Sequence, residues 1–441
     1  MDVELQILKH LAREPDTTVS VIDEYCAEYK NLFKEVRNYE CFKYLHLGII
    51  SPIKRKSLPE IAKVVGINSA QSLHHFISQS PWSVTELRAR RLKKIKEALK
   101  GNAITVVIDE TGDRKKGKKT DYVSRQYLGS VGKVDRGIVS VNAYGIYSNI
   151  TFPLIVKIFK PRGTLKASDK YQTKIELAAS IITELINYGF KIELVLADSL
   201  YGESRQFIKE IAKHQLSYIV SIRSNHGVRM ASHEKVRANK WCKFERIFSN
   251  EKSETRYIRE IIYGQKRAVT YWEITTDPET MPDNSTSFVM TNIKGEIKKK
   301  LGNLYGLRTW VEYGFRQCKQ ELGWTDYRFT NFQDIEKWWE IIFCAYTMIS
   351  LNSPVFLALN QQNTPEVNRR DDSVDLARHQ EWNHQVGWKN TLNNFRLVIQ
   401  PTILLWLIAP WIDIFPNSHL LRGFNHLISA INQFQRFYSS G

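Results

Sequence analysis

The sequence is poor in cysteine, and the cysteines that it has form no recognisable site. Five occur, at positions 26, 41, 242, 318 and 344, without any Cys-x-x-Cys spacing. The odd number and the irregular spacing argue against both a zinc motif and a disulfide framework. We therefore expect a reducing, cytoplasmic setting.

A long uninterrupted apolar segment is also missing. The longest apolar stretch, residues 397–415, contains Gln400, Pro401 and Pro410, so we expect a buried helix there and not a membrane span. Residues 1–16 begin with acidic side chains and have a helical pattern, unlike a secretory signal. These features predict no membrane partner.

Negative charge is scarce relative to positive charge. Lys and Arg number 63 against 46 Asp and Glu, which leaves a net charge of +17 on a chain of 441 residues. This excess favours a polyanionic partner, nucleic acid first and an anionic membrane surface second. A basic protein that is simply soluble is the remaining alternative. The length allows two or three domains.

The first 100 residues are helical in pattern, and residues 57–78 have the form of a helix-turn-helix. Ser57 and Glu60 are spaced as a capping box, and Gly66 supplies the turn before a second helix that begins near Asn68. A plain helical hairpin is the alternative, because the pattern is short. In a DNA-binding version three side chains of the second helix would face the major groove: Gln71, His74 and His75.

A strongly basic segment follows. Residues 88–100 carry seven Lys or Arg and one Glu, more positive charge than a solvated face needs, which favours contact with DNA phosphates. Residues 111–121 then form a Gly- and Lys-rich turn. The predicted DNA-contacting cations of the two segments are Arg88, Arg90, Arg91, Lys93, Lys94, Lys115, Lys116, Lys118 and Lys119.

From residue 101 the pattern becomes α/β. Residues 103–110 predict a buried strand that ends in Asp109, and residues 192–204 contain a second strand that ends in Asp198. If these strands are neighbours, both carboxylates lie at one edge of the sheet, where α/β proteins place their sites. Either Asp alone has a plainer interpretation, a cap on the following turn. Residues 225–290 hold short strand signals and predict a β-rich insertion.

Residues 304–324 predict an amphipathic helix with one carboxylate among cations. At about 100° per residue, Tyr305, Arg308, Glu312 and Lys319 share one narrow stripe. A solvated ion pair between Arg308 and Glu312 at i,i+4 is the plain alternative. The neighbouring stripe is apolar and predicted to be buried: Leu304, Val311, Phe315, Cys318 and Leu322.

The three acids Asp109, Asp198 and Glu312 would repel one another if they met in space, and burying them together would be costly. Divalent cations remove this conflict, since Mg²⁺ takes carboxylate oxygens and keeps positions for water and phosphate. Two such ions about 3.5–4 Å apart hold the attacking and leaving oxygens of a phosphodiester. The three acids are therefore candidates for one metal-dependent site.

These motifs resemble those of bacterial DDE transposases. The spacing Tyr-x₂-Arg-x₃-Glu-x₆-Lys at 305–319 matches the signature of the insertion-sequence 4 superfamily at every position. The segments SPW at 80–82 and QYLGSVGKV at 126–134 are similar to its insertion-sequence 701 branch. The strand opening DRGIVSV at 135–141 is less polar than expected for that branch. The resemblance covers roughly residues 70–350.

The resemblance implies an α/β fold with an RNase H-like catalytic domain and a β-rich insertion, flanked by an N-terminal helical DNA-binding domain and a C-terminal helical region. The predicted bounds are 1–100 for the DNA-binding domain, 101–224 and 291–350 for the catalytic domain, 225–290 for the insertion and 351–441 for the C-terminal region.

It also implies roles for individual residues. Asp109, Asp198 and Glu312 would be catalytic and would hold two Mg²⁺ ions, for which Mn²⁺ would substitute, with Asp109 as the bridging ligand. Several transposases of the superfamily hold a flipped base with a Trp, a role open to Trp272, with Trp241 as a rival and plain packing as the alternative. Three residues would grip DNA phosphates beside the cut: Tyr305, Arg308 and Lys319.

The implied activity is that of an insertion-sequence transposase in the bacterial cytoplasm, associated with the nucleoid. Water would cut a phosphodiester at the element end, and the freed 3′-OH would attack DNA in line. The partners would be the terminal inverted repeats, target DNA and a second copy of the chain, with the C-terminal helices as candidates for that contact. The alternatives are a DNA-binding regulator or domesticated transposase without cleavage, and a structure-specific RNase H-like nuclease.

Overall fold

The computed structural model describes residues 13–117, 119–129, 131–248, 252–361, 376–385 and 387–436. In this part of the chain the α-helices are α1 (Ser20–Ala27), α2 (Val36–Ile50), α3 (Leu58–Val64), α4 (Gln71–Ser78), α5 (Val84–Ala98), α6 (Lys174–Asn187), α7 (Ser199–Gly202), α8 (Arg205–Lys213), α9 (Lys298–Gly306), α10 (Thr309–Arg316), α11 (Phe332–Gln361), α12 (Trp388–Ile414) and α13 (Ser418–Arg436). Shorter helical turns cover Lys30–Leu32, Arg162–Thr164, Gln317–Glu321 and Leu376–Arg378.

The strands are β1 (Ile104–Arg114), β2 (Ser124–Leu128), β3 (Lys133–Tyr147), β4 (Ile150–Ile158), β5 (Ile192–Ala197), β6 (Ser217–Ile222), β7 (Val236–Ala238), β8 (Cys242–Ile247), β9 (Ser253–Tyr263), β10 (Thr270–Thr275) and β11 (Ser287–Thr291). The chain forms two compact units. One contains the segments before residue 96 and after residue 315, and the other contains Lys96–Phe315. The predicted domain bounds stay predictions.

One mixed sheet organises the unit Lys96–Phe315. Its strand order is β2-β3-β1-β5-β6-β11-β10-β9-β7, with β4 beside β3 and β8 beside β9. β1, β5 and β6 run parallel at its centre, and the neighbouring pairs are antiparallel. Branched residues at the central positions are buried on both faces, as parallel strands require.

The strands predicted within 225–290 are present, and they continue the same sheet. β9, β10 and β11 overlap the three strand signals of the sequence, and β11 pairs with β6 in antiparallel register. The strand signals are local, whereas the sheet that a strand joins depends on partners distant in sequence.

The strand predicted to end at Asp109 is longer than expected. β1 runs on to Arg114 because its residues from Asp109 onward pair with β3, from Asn142 to Gly137. The first four residues of the turn predicted at 111–121 are therefore strand. β2 and β3 form an antiparallel hairpin.

In the other unit, α3 and α4 are the two short helices of the segment 57–78. Gly66 adopts a positive φ of 74° in the turn, as predicted. The predicted capping box is absent, because Ser57 precedes α3 without a side-chain cap hydrogen bond. The second helix begins at Gln71, three residues later than predicted. That this pair of helices binds DNA stays a prediction.

The apolar stretch at 397–415 was predicted to be buried, and for its second half this is wrong. α12 carries Pro401 and Pro410 within one helix, and beyond Ile403 its side chains are exposed or half-buried. Exposed fractions of large apolar side chains there and in α13 reach 68%; they include Leu404, Trp406, Leu407, Trp411, Ile414, Phe415, Leu420, Leu421 and Leu427.

Two helices of the described residues are long and apolar enough to cross a membrane, Phe332–Ala358 and Trp388–Ile414. The most apolar window of the first is 67% buried within the protein, that of the second 22%. Length and composition alone are weak grounds for a membrane segment, because core helices of soluble proteins share them.

Candidate active site

The two predicted strand acids lie at the same end of neighbouring parallel strands. β1 and β5 pair in register through Ile108 and Ala197, and Asp109 and Asp198 are the next residues along each strand. Parallel strands end at one edge of a sheet, so the two carboxylates are brought together there. This is the convergence that the sequence predicted.

Asp198 lies at the strand end and also caps the helix that follows; its role in a metal site stays a prediction. It precedes α7, and its Oδ1 accepts a hydrogen bond from the Leu200 N–H at 3.0 Å, so it caps that short helix. Burial raises the pKa of Asp198, and Arg308 and the helix N–H groups offset part of this rise. A carboxylate has about four lone-pair positions, so these hydrogen bonds leave Asp198 able to bind a cation as well.

Asp109 is a largely buried carboxyl. Its side chain is 14% exposed, and its Oδ1 accepts from the Glu110 N–H at 2.7 Å. Burial raises its pKa to about 7; the Arg308 charge acts against that rise, and the Asp198 and Glu312 charges add to it. The charged form of Asp109 is therefore disfavoured until a cation compensates it.

One guanidinium joins the acids. Arg308 Nη1 lies 3.5 Å from Asp109 Oδ2, and its Nη2 lies 3.6 Å from Glu312 Oε1. Burial would lower the pKa of Arg308, but Tyr305, Asp109 and Glu312 raise it above its ordinary value. The predicted surface pair of Arg308 and Glu312 exists, and a buried acid from another element extends it.

The single helix predicted for 304–324 is broken. α9 ends at Gly306 and α10 begins at Thr309, so Tyr305 and Glu312 lie on different helices with Arg308 between them. A π-helical turn, Gln317–Glu321, follows and contains Lys319. Of the predicted apolar stripe, Leu304 and Phe315 are only half-buried, whereas the others are buried: Val311, Cys318 and Leu322.

Glu312 is the most open of the three acids, with 56% of its side chain exposed. Among the described residues no three His, Cys, Asp or Glu side chains lie together as a group that could hold a metal ion. The aspartates are adjacent at the strand ends, and Glu312 is held to them through Arg308.

Two buried polar atoms beside the aspartates suit a hydrated cation. Asn142 pairs with Asp109 in register and is fully buried, and its Oδ1 has no hydrogen-bond partner within the described part of the chain. The same holds for the Tyr201 hydroxyl, whose pKa rises because of burial and the charges of Glu110, Asp109 and Asp198. Oxygen donors around paired carboxylates fit a hard divalent ion.

The basic helix differs from its prediction. Arg88 is 7% exposed and pairs with Glu336 and Glu340, and Arg91 is 0% exposed, with Nε 2.6 Å from Glu340. These two arginines neutralise buried acids, so they do not face DNA. This corrects the expectation that they contact phosphates.

The remaining cations of that helix lie nearer the surface. Arg90 is half-buried and donates to the Glu28 carbonyl oxygen and to Asn31, and Lys94 pairs with Glu28. Lys93 is exposed. The predicted reading side chains of α4 are all exposed: Gln71, His74 and His75.

The cations predicted after β1 lie on the surface of the other unit. Lys115 is half-buried, Lys116 and Lys119 are exposed, and Lys118 lies outside the described residues. Trp272 is 3% exposed, and its Nε1 donates to Thr270 at 2.8 Å. The packing alternative therefore replaces its predicted contact with a flipped base.

Arg246 and Arg256, in β8 and β9, were not singled out in the sequence, yet they lie in a cavity beside Tyr305 and Arg308. The alternating pattern of residues in β8 was the signal that could have identified Arg246. Phe244 and Arg246 share the buried side of that strand, and a cation at a buried strand position calls for a partner.

Comparisons with known proteins show what the chain is similar to. A family model described as DDE superfamily endonuclease matches residues 31–242, and one described as transposase DDE domain matches residues 166–348. A protein of Microchaete diplosiphon described as a probable transposase for insertion sequence element IS701 is 54% identical over 320 residues. The match covers 72% of this chain and 84% of that protein.

Proposed function

This chain belongs to the DDE transposase family and is an insertion-sequence transposase of the IS701 type, and from this premise we propose that Asp109, Asp198 and Glu312 are its catalytic acids. The observation that carries the proposal is the guanidinium of Arg308, which lies 3.5 Å from Asp109 and 3.6 Å from Glu312. DNA is the substrate of this family.

The finer architecture is part of the proposal. The unit Lys96–Phe315 would be an RNase H-like catalytic fold, which is supported by the antiparallel β1 and β3 followed by the parallel β5 and β6. β7 to β11 would be its β-rich insertion. The segment 57–78 would be the helix-turn-helix of an N-terminal DNA-binding region.

Enzymes of this family use divalent metal ions, and we infer that Mg²⁺ is the ion here, with Mn²⁺ as a substitute. Asp109 and Asp198 would hold it between the strand ends, with the Asn142 amide oxygen and the Tyr201 hydroxyl near its water ligands. Glu312 would complete the acid set and allow a second ion. Metal ions at this position would supply an activated water and stabilise charge on the phosphate.

Arg308 would have a different partner before and after DNA binds. In the free protein it is the counter-ion of Asp109 and Glu312, which limits their repulsion. With DNA present, its planar fork would bind phosphate oxygens, beside Tyr305 and together with Lys319. The acids would then be free to bind metal ions, whose positive charge would replace that of Arg308.

The reaction would be two in-line displacements at phosphorus. In the first, a water oxygen bonds to phosphorus as the bond to the 3′-oxygen breaks, and the released oxygen takes a proton to become a 3′-OH. In the second, this hydroxyl loses its proton and attacks another phosphodiester, so no covalent protein–DNA link forms. Tyr305 and Arg308 would orient the phosphate for both steps.

The proposed partners are the terminal inverted repeats, target DNA and a second copy of the chain bound to DNA. Two element ends have to be brought together, which is the reason to expect a dimer. The setting would be the bacterial cytoplasm, in association with the nucleoid. The α4 side chains Gln71, His74 and His75 would read the repeat, with surface cations around them contacting phosphates.

A cleavage assay with Asp198→Asn tests the catalytic assignment. The asparagine side-chain oxygen can still accept the Leu200 N–H and cap α7, but the metal-binding charge is gone. We expect cleavage of a duplex carrying the element end, with Mg²⁺, to fall by at least about 10³-fold, with binding retained. The matched control Asp283→Asn, at an exposed aspartate of the same unit, should cut normally.

The outcomes separate the candidate functions. Cleavage followed by joining supports a transposase, binding without cleavage by the unaltered protein supports a regulator, and cutting without preference for the end sequence supports a structure-specific nuclease. Asp198→Asn protein that cuts at the normal rate would mean that Asp198 is only a helix cap.

A further inference from the structure

A small cavity of about 160 Å³ lies beside the acid set within the unit Lys96–Phe315. Its walls come from β8 and β9, from the segment before β11, and from the α9–α10 junction. We call it the arginine pocket and define it by Arg246, Arg256, Asn284, Ser287, Tyr305 and Arg308. It contains three guanidinium groups, and among the residues that the structure describes no acidic side chain lines it.

Arg246 is the residue that most needs explanation. It is 9% exposed, and its Nη2 donates weakly to the Gly306 carbonyl oxygen at 3.4 Å and to Thr309 Oγ1 at 3.3 Å. Its Nε is buried without a hydrogen-bond partner among the residues that the structure describes. Within the same residues no ion pair neutralises it. A buried cation in this state costs free energy unless something else binds there.

The other two arginines of the pocket have acidic partners. Arg256 Nε lies 2.9 Å from Glu254, and Arg308 faces Asp109 and Glu312. Burial lowers the pKa of Arg246, the charge of Arg256 lowers it further, and the charge of Glu254 offsets part of this. The Arg246 guanidinium also lies 4.9 Å from the centre of the Phe248 ring. Because Glu254 is already paired with Arg256, positive charge remains in excess among the residues that line the pocket.

Helix α9 leaves this space open through a glycine. A Cβ on Gly306 would lie 3.1 Å from Arg246 Nε, so the glycine keeps space beside this nitrogen. Gly302, one turn earlier, lets α9 pack against Phe244 of β8, because a Cβ there would meet that ring at 2.2 Å. Gly302 and Gly306 therefore lie on one face of α9, where the first allows close packing against β8 and the second leaves space at Arg246 Nε.

We propose that the arginine pocket binds one non-scissile phosphate of the substrate DNA, with Arg246 as its principal donor. The inference rests on the proposed function and goes beyond the phosphate contacts of Tyr305 and Arg308. A tetrahedral oxyanion meets every feature of the pocket: it supplies the missing negative charge, accepts from Nε and Nη of a guanidinium, and accepts from the amide and hydroxyl groups opposite. Because Arg308 lines the pocket and also faces Asp109 and Glu312, this phosphate lies close to the cut.

The test uses full-length protein carrying Asp198→Asn, so that DNA is bound but not cut. Duplexes of the element end would carry one neutral methylphosphonate at a time, and binding would be measured with and without Arg246→Met. The charge-matched control is Arg125→Met, at an exposed position of β2 in the same unit. Arg246→Lys, which keeps the charge but loses the fork, provides a second variant.

We expect Arg246→Met to weaken binding of the unmodified duplex by about 10- to 100-fold and to reduce the slope of log K against log salt by about 0.9. At one position near the cut, the methylphosphonate should weaken binding by the protein that keeps Arg246 by the same factor. It should weaken binding by the Arg246→Met protein no further. Arg125→Met should show no such position. The affinity of the Arg246→Lys protein for the unmodified duplex should lie between the affinities of the Arg246 and Arg246→Met proteins.

The inference would be overturned if, at every methylphosphonate position, the loss of affinity from the methylphosphonate multiplied the loss from Arg246→Met. Arg246 would then contact no phosphate. Failure of the Asp198→Asn protein to prefer the element end over unrelated DNA would instead count against the proposed function. Thermal unfolding provides the folding check. Replacing an unpaired buried cation by an apolar chain of similar length should leave the melting temperature unchanged or higher, and if Arg246→Met does not fold, the comparison is made with Arg246→Lys.

Discussion

At the scale of single residues, the candidate site is balanced by one cation. Asp109 and Glu312 both face Arg308, and burial keeps the Asp109 carboxyl from ionising readily. The free protein therefore carries a site that is short of positive charge. Such a site binds metal with release of protons or displacement of its internal counter-ion.

Asp109→Asn should make the metal-free protein more stable at high pH. The folded-state pKa of about 7 lies above the ordinary aspartate value, so stability from the neutral carboxyl is complete below about pH 4 and is lost as the pH rises through 7. We expect the variant to gain about 2–4 kcal/mol in free energy of unfolding, relative to the unaltered protein, between pH 4 and pH 8. Urea unfolding in EDTA at both pH values measures it.

Asp283→Asn, the same substitution at an exposed aspartate of the same unit, serves as the control. A difference between Asp109→Asn and the unaltered protein that stays constant from pH 4 to pH 8 would contradict the burial of charge at Asp109.

The sequence predicted the acids better than the cations. Asp109 and Asp198 follow runs of branched residues that only a central strand accommodates, so their place at the sheet edge was foreseeable. Arg88 and Arg91 belong to a helix whose basic character suggested DNA. Their actual partner, Glu340, lies about 250 positions away, and no local pattern indicates that a buried acid will face that helix.

At the scale of elements, two glycines in helices have opposite surroundings. Gly302 of α9 is buried against Phe244, whereas no neighbouring atom of the described residues lies within 4 Å of the position where a Cβ would stand on Gly423 of α13. The first belongs to a packed contact between helix and strand, and the second to an open helix surface. The gain in helix propensity from glycine to alanine is the same at both positions. A difference in stability between the two substitutions therefore reports on packing.

Gly302→Ala should destabilise the protein by about 1–3 kcal/mol, because the new methyl group overlaps a buried ring and forces it to move. Gly423→Ala should stabilise α13 by about 0.5–1 kcal/mol, since alanine is the better helix former. Thermal and urea unfolding of both variants checks the signs. If the two substitutions shift stability in the same direction, α9 does not pack against β8 as described.

The helix pattern at 304–324 was predictable in part. Side chains at i and i+4 pointed to the pairing of Arg308 with Glu312, and the pairing is present. The break at Leu307 and Arg308 was not predictable, because helical periodicity measures amphipathicity and carries no signal for an interruption that tertiary contacts impose. The same reason explains α12, where an apolar pattern predicted burial without stating what would cover it.

At the scale of the whole molecule, the net charge of +17 implies binding that depends strongly on salt. If six to ten phosphates are contacted, affinity for a duplex should fall by about 10³- to 10⁵-fold between 50 and 200 mM salt. Fluorescence anisotropy with an element-end duplex measures this. An unrelated duplex of equal length should bind more weakly, with a large salt dependence of its own. A change below tenfold for the element end would indicate that the positive charge has another use.

The strands of the predicted insertion were foreseeable, and their membership of the central sheet was not. β9 to β11 carry alternating residues that predict strands locally, while the pairing of β11 with β6 joins positions about 70 residues apart. A strand pattern fixes which residues face inward, and the register of its neighbours is decided by the complete chain.

Because β1 continues past Asp109, the two aspartates and the glutamate differ in how freely they can shift. The backbone of Asp109 is fixed by its ladder to β3, and Asp198 is tied to the first turn of α7. Glu312 stands on an eight-residue helix with an interruption before it and a π turn after it. If Asp109, Asp198 and Glu312 are the catalytic acids, as we propose, any adjustment that draws their oxygens onto a common ion is made by α10. On that proposal, a compound that immobilises this short helix would block cleavage while leaving both aspartates untouched.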